Sequence, residues 1–290
     1  MDQKTMVAET LAELAVQALL DEVNLTPKPG LVDQENNGAH YDLTLQLMHR
    51  SAESLRPVFA EIAEASYERV PSQELREEIA AIGRNGEQVM LGVTGDVNAH
   101  KGAIWSLGLL VSAAAGDAKL SDPEFLAERA GTIARFPDRY CPVASTNGSK
   151  VKAAYQVPGA RGEAQLNFPH LCKVGLPFLQ NAREKGIPET NARLDTLLAI
   201  MSELDDTCIL HRGGMEALET VKNGARDVLD TGSTSTTAGR LALMRLDRQM
   251  MEWFVSPGGS ADLLAAVLFL DALQKERNVK GGVAVGNVTF

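Results

Sequence analysis

From Gly102 to Gly116 the chain carries no charged side chain, and Ile104, Trp105, Leu107, Leu109, Leu110 and Val111 fall on nearly every side of a helical repeat. The run is shorter than the roughly 20 residues needed to span a bilayer. It therefore predicts a buried helix with neighbours all round it. Leu263, Leu264, Val267, Leu268, Phe269 and Leu270 repeat the pattern near the C-terminus. Two such helices need a helical shell. Aromatic residues are only 5% of the chain, so the core must come from Leu, Ala, Ile, Val and Met.

The shell is visible as amphipathic spacing. Val7, Leu11, Leu14, Ala15, Ala18 and Leu19 share one helical face, and Pro27 and Pro29 end that helix. A helical stretch over 42–67 contains Pro57, which should kink or split it. Ser72 reads as the N-cap of the next helix, and Ser121 with Glu124 as a capping box. Further helical patterns cover 191–202, 214–229, 236–253 and 260–273. Alternation survives only at the tail, through Val283, Val285 and Val288. The expected fold is all-α: a single multi-helix domain over 1–290, with central apolar helices and a short irregular or β-like C-terminal tail.

A formal net charge of -10 disfavours nucleic acid and anionic membranes as partners. Cys141, Cys172 and Cys208 are odd in number and lie far apart, as expected of a chain without disulfides in a reducing cytoplasm. The N-terminus lacks the apolar stretch of a signal peptide.

Chemistry should sit where glycine and polar runs interrupt the helices. Thr26 to Asp33, continuing through Asn37 to Asp42, brings Lys28, Gly30, Asp33, His40 and Asp42 into a proline-stiffened loop. Thr94 to Gly102 places Asn98, His100, Lys101 and Gly102 at the start of the central apolar helix, where free N–H groups attract anions. Arg161 can grip a phosphate bidentately. Asp205 and Asp206 suit a Mg²⁺ site, and His211 and Arg212 follow them. Ser256 to Asp262 puts Gly258, Gly259 and Ser260 at the start of the second apolar helix. Each run also has a structural reading: an N-cap, a surface ion pair or an acidic helix terminus.

The stretches TPKPGLVD with NGAH, TGDVNAHKGAIWSLGLL, LDDTCILHRGG and SPGGSADLLAAVLFL, in that order between residues 26 and 270, resemble the ATP:dephospho-coenzyme A triphosphoribosyltransferases. The family usually has Gly at the position of Asp96 and Thr at that of Ala99. The resemblance implies that ATP loses adenine while C1″ of its ribose is joined to the 2′-hydroxyl of 3′-dephospho-CoA. The product would pass to an acyl-carrier-protein holo-synthase serving malonate decarboxylase or citrate lyase. PSQELREEIAAIGR and the segment around LPFLQNAREKGIPETNARLDTLLAIMSELDDT look more like the malonate decarboxylase branch.

That chemistry needs a carboxylate beside the oxocarbenium-like C1″, a base for the hydroxyl and a grip on the triphosphate. The expected roles are Lys28, His100, Lys101, Arg161 and Arg212 on phosphates, together with the glycine turns, and Asp205 and Asp206 on Mg²⁺. Asp33 is the first choice at the ribose, with Asp42 and His40 as alternatives. Rival readings are a Mg²⁺-dependent nucleotide N-glycosyl enzyme with another acceptor and a non-catalytic nucleotide-binding assembly factor. A homodimer is compatible with either.

Overall fold

The computed structural model describes residues 2–117, 122–142 and 146–285. Helix α1 (Gln3–Asn24) is capped by Asp2, which accepts from the Thr5 N–H at 2.8 Å. Helices α2 (Leu45–Ser54) and α3 (Arg56–Ser66) are the predicted split segment. Pro57 lies in the first turn of α3, where its missing N–H has no intrahelical partner to lose. Ser72 caps α4 (Gln73–Thr94), which ends on left-handed Gly95. The central apolar run is α5 (Lys101–Gly116).

Helix α6 (Pro123–Arg135) is capped by Asp122, not Ser121, which lies outside the described residues. Asp122 has the better reach, accepting from the N–H groups of both Glu124 and Phe125. The short helices α7 (Asn147–Tyr155) and α8 (Gly159–Gln165) follow. A π-helical turn over Leu171–Gly175 then runs into α9 (Leu176–Glu184). Periodicity does not mark these four, because each is too short or too polar to show it. Helices α10 (Glu189–Glu203), α11 (Thr207–Asp230), α12 (Thr237–Glu252) and α13 (Gly258–Val285) complete the chain.

Two expectations change. Helix α11 starts at Thr207 and not at Gly214, because the Asp206 side chain caps it; Gly214 (φ +68°) marks a kink inside it. The alternating Val283 and Val285 belong to α13, and Val288 lies outside the described residues. No strand occurs among the described residues.

The apolar helices are central as expected. Helix α5 packs against α1, α3, α4, α6 and α13, and α13 also packs against α1, α10 and the π turn. Buried apolar side chains form one continuous cluster, with Leu107, Leu110, Leu264 and Phe269 fully enclosed. Full burial of a Leu or Phe side chain contributes about 1.5–3 kcal/mol. With the apolar stretches of both helices enclosed, the partly exposed residues near their N-terminal ends, Gly102 and Asp262 among them, are where water and substrate can reach them.

Candidate functional site

Three helix starts meet through two carboxylates. Asp206, buried, accepts from the Cys208 N–H at 2.8 Å and so caps α11. It also accepts from Gly259 N–H at 3.3 Å, Ser260 N–H at 2.8 Å and the Ser260 hydroxyl at 2.9 Å, which caps α13. Asp262, the fifth residue of α13, in turn accepts from the Ala103 N–H at the start of α5. Gly102 makes room for it, since a Cβ there would overlap the Asp262 carboxylate. A fourth helix start adjoins: a Cβ on Gly159, at the head of α8, would lie 3.3 Å from Thr207, and Trp105 Nε1 donates to the Ala160 carbonyl at 3.1 Å. Convergent N-termini favour negative charge, and here two of the protein's own carboxyl groups face them.

Asp262 is the less satisfied of the pair. Protein surrounds it, but it keeps some solvent exposure, as do Gly102, Gly159, Cys208, Gly258 and Gly259. Burial, followed by the nearby Glu22 and Asp206 carboxylates, raises its pKa well above the usual carboxylate range. Burial raises that of Asp206 as well, against the pull of its N–H donors.

The loop before α2 closes one side. Lys28 Nζ, itself buried, donates to the Glu22 carbonyl and carboxylate, both at 2.6 Å. Asp33 accepts from the N–H groups of Lys28 at 2.9 Å, Glu35 at 2.8 Å and Asn36 at 3.0 Å. Gly30 has φ +66° and donates its N–H to Asp247 at 2.9 Å. A groove of about 700 Å³ lies between this loop and α12, lined by Pro27, Pro29, Leu243, Met244 and Met251.

At the loop's end stands His40. Its Nε2 lies 2.9 Å from the Ser256 hydroxyl, just before α13. Arg212 donates to the Ala39 carbonyl at 3.1 Å and to His40 Nδ1 at 3.3 Å. Arg212 can only donate, so this contact has Nδ1 accepting and Nε2–H donating to Ser256, while the Asp42 carboxylate lies 3.6 Å from the same Nδ1. Burial, then the Arg212 charge, lower the His40 pKa against the opposing pull of Asp42. The imidazole is therefore neutral near pH 7.

Several predicted residues take other places. Lys28 is spent on Glu22, and the two oxygens of Asp33 are spent on the loop's own backbone, so Asp33 organises the loop instead of reaching a ribose. His100 is buried: its Nδ1 meets the Ser51 hydroxyl at 2.7 Å, its Nε2 has no partner among the described residues, and burial holds its pKa near about 3. It is not a surface phosphate ligand. Asp205 and Asp206 each meet partners within the protein. Asp205 pairs with Lys222 at 2.9 Å, whereas the oxygens of Asp206 are taken by four donors. Among the described residues no three His, Cys, Asp or Glu side chains are grouped to hold a metal.

The N–H groups of Gly259 and Ser260 face Asp206 and are not open to a phosphate. Asn98 accepts from the Lys101 N–H at 3.1 Å, and the Lys101 ammonium pairs with Glu87 at 2.6 Å. Asp42, His211, Arg212 and Arg161 are exposed. The structure thus brings His40, Gly102, Arg212, Gly258, Gly259, Ser260 and Asp206 together. It adds Asp262, whose sequence signal was a lone carboxylate just ahead of the apolar run 263–270.

Residues 8–281 match the CitG family model, described as ATP:dephospho-CoA triphosphoribosyl transferase. A 2-(5''-triphosphoribosyl)-3'-dephosphocoenzyme-A synthase of Klebsiella pneumoniae is 50% identical over 261 residues, covering 90% of this chain and 93% of the relative. A protein of Pseudomonas syringae pv. tomato named "Probable 2-(5''-triphosphoribosyl)-3'-dephosphocoenzyme-A synthase" is 50% identical over 273 residues, 94% of each chain. No solved structure matches. A family match over nearly the whole chain, on a scaffold that gathers the motif-bearing corners around one pair of helix caps, makes the chain a transferase that belongs to the ATP:dephospho-CoA triphosphoribosyl transferase family.

Proposed function

We propose that the enzyme joins C1″ of the ATP ribose to the 2′-hydroxyl of 3′-dephospho-CoA, releasing adenine, with Asp262 as general acid and His40 as general base. The observation that carries the assignment is the placement of the two groups about the start of α13, His40 against Ser256 just before it and Asp262 enclosed against Gly102 within it. Burial, then the Glu22 and Asp206 carboxylates, raise the Asp262 pKa and favour its protonated form, whereas burial, then the Arg212 charge, lower that of His40 and favour its neutral form. Asp262 gives its proton to the departing adenine as the C1″–N9 bond breaks. The 2′-hydroxyl oxygen bonds to C1″ while its proton passes to His40 Nδ1, displacing the long Arg212 contact. The ionised Asp262 then faces the oxocarbenium-like carbon, where negative charge is most useful. Solvent returns the proton from His40 to Asp262. Arg212 and Lys101 are the nearby cations for substrate phosphates.

Magnesium we assign to the substrate, arriving with the triphosphate, since the donors of Asp205 and Asp206 are already engaged. For the product we propose transfer by a holo-synthase to the acyl-carrier subunit of malonate decarboxylase, in the cytoplasm. The support is the likeness of 71–84 and 176–207 to that branch.

Purified protein with ATP, Mg²⁺ and dephospho-CoA should yield free adenine and a CoA species heavier by one triphosphoribosyl group. Adenine release at the same rate without dephospho-CoA would make the enzyme a hydrolase and overturn the reading. Transfer of the product to the citrate lyase carrier but not the malonate decarboxylase carrier would overturn the branch assignment.

A further inference from the structure

On the flank of α5 that faces α4 and α8, a buried guanidinium lies over an indole, with two more guanidinium groups near enough to act on it. Arg76, in the first turn of α4, is 6% exposed. A guanidinium so deeply placed ordinarily spends its N–H groups on acceptors. Arg76 instead lies over the Trp105 ring, 5.1 Å from the centroid, and its Nε finds no partner among the described residues. The titratable groups close enough to act on it are Asp138, Arg161, Arg84 and the Cys141 thiol, and Asp138 is already bound to Arg84. Trp105 is held in turn by the Ala160 carbonyl, which sets Arg161 against α5 one helical turn from the convergent helix starts. Three like charges with one shared carboxylate are costly unless an anion completes the group.

We propose that Arg76, Arg84 and Arg161 form the seat of a substrate polyphosphate, with Trp105 fixing the Arg76 plane. The proposal rests on the transferase reading above and adds a grip for its substrates. A polyphosphate fits better than a single phosphate, because guanidinium groups on two separate helices can each take a different phosphoryl group bidentately. The triphosphate of ATP and the diphosphate of dephospho-CoA share this chemistry.

The test is calorimetric titration of the full chain with inorganic tripolyphosphate and pyrophosphate, for the parent protein, Arg161→Ala and Arg76→Lys. Each substitution should weaken binding about 10-fold or more, the effect of losing a charge-assisted contact. Arg161 is exposed, so Arg161→Ala decides the matter even where Arg76→Lys perturbs the fold. A rise in KM for ATP in Arg161→Ala assigns the seat to the triphosphate, and a rise in KM for dephospho-CoA assigns it to the diphosphate. No binding to the parent, or binding to both variants as tight as to the parent, overturns the proposal. Calorimetry needs no turnover, so a protein that binds polyphosphate but releases no adenine would sink the transferase chemistry and leave the seat standing.

Discussion

The loop around Asp33 and the start of α13 around Asp262 are built from similar parts and do opposite things. Both bury carboxylates beside glycines and helix ends. In the loop every buried charge has its partners: Lys28 has Glu22, and Asp33 has three backbone N–H groups. At α13, burial and then two nearby carboxylates raise the pKa of Asp262. Satisfied charges hold a structure in place. A charge left short of partners costs stability and persists where a reaction uses it.

Substitutions can break this contrast, and the largest effect should fall on turnover. Asp262→Asn should lower kcat by about 10²–10⁴-fold, the usual share of a proton-transferring group, without loss of stability. Denaturant unfolding would show the midpoint kept or raised. Lys28→Met should do the reverse: it strands Glu22 and should cost about 3–5 kcal/mol of stability by the same unfolding measurement.

A third effect sharpens the comparison through pH. His100 is buried neutral with a pKa near about 3, well below its usual 6.5. Between those values the unfolded chain binds a proton that the folded chain refuses, so stability falls as pH falls from 6.5 toward 3. The slope from this one residue is at most about 1.4 kcal/mol per pH unit. Unfolding at pH 7 and pH 5 should show a smaller acid loss in His100→Gln than in the parent. The smallest effect belongs to Asp205→Ala. Its partly exposed pairing with Lys222 should contribute about 1 kcal/mol or less, and the Mg²⁺ concentration for half-maximal activity should not move.

Much of this was legible in the sequence. The uniform apolarity of 102–116 and 263–270 placed two central helices, and the glycine-punctuated corners at His40, Gly102, Arg212 and Ser256 do meet. Roles within the corners were not legible, because they depend on which donors face each carboxylate. Asp33 and Asp262 look alike as letters; three N–H groups 2.8–3.0 Å from one of them decide between them. Asp205 and Asp206 look like a metal pair until α11 is seen to begin at Thr207, which turns Asp206 into a cap. Asp96 has φ +65°, a left-handed turn in which the glycine usual in the family would sit without strain.

The most direct test of the central claim uses ATP methylated at N7 of the adenine, whose base already carries positive charge and leaves without a proton. Asp262→Asn should be slow on ATP and recover most of the parent rate on the methylated substrate, while His40→Gln should stay slow on both. An equal deficit of Asp262→Asn on the two substrates would contradict the assignment of Asp262 as the acid.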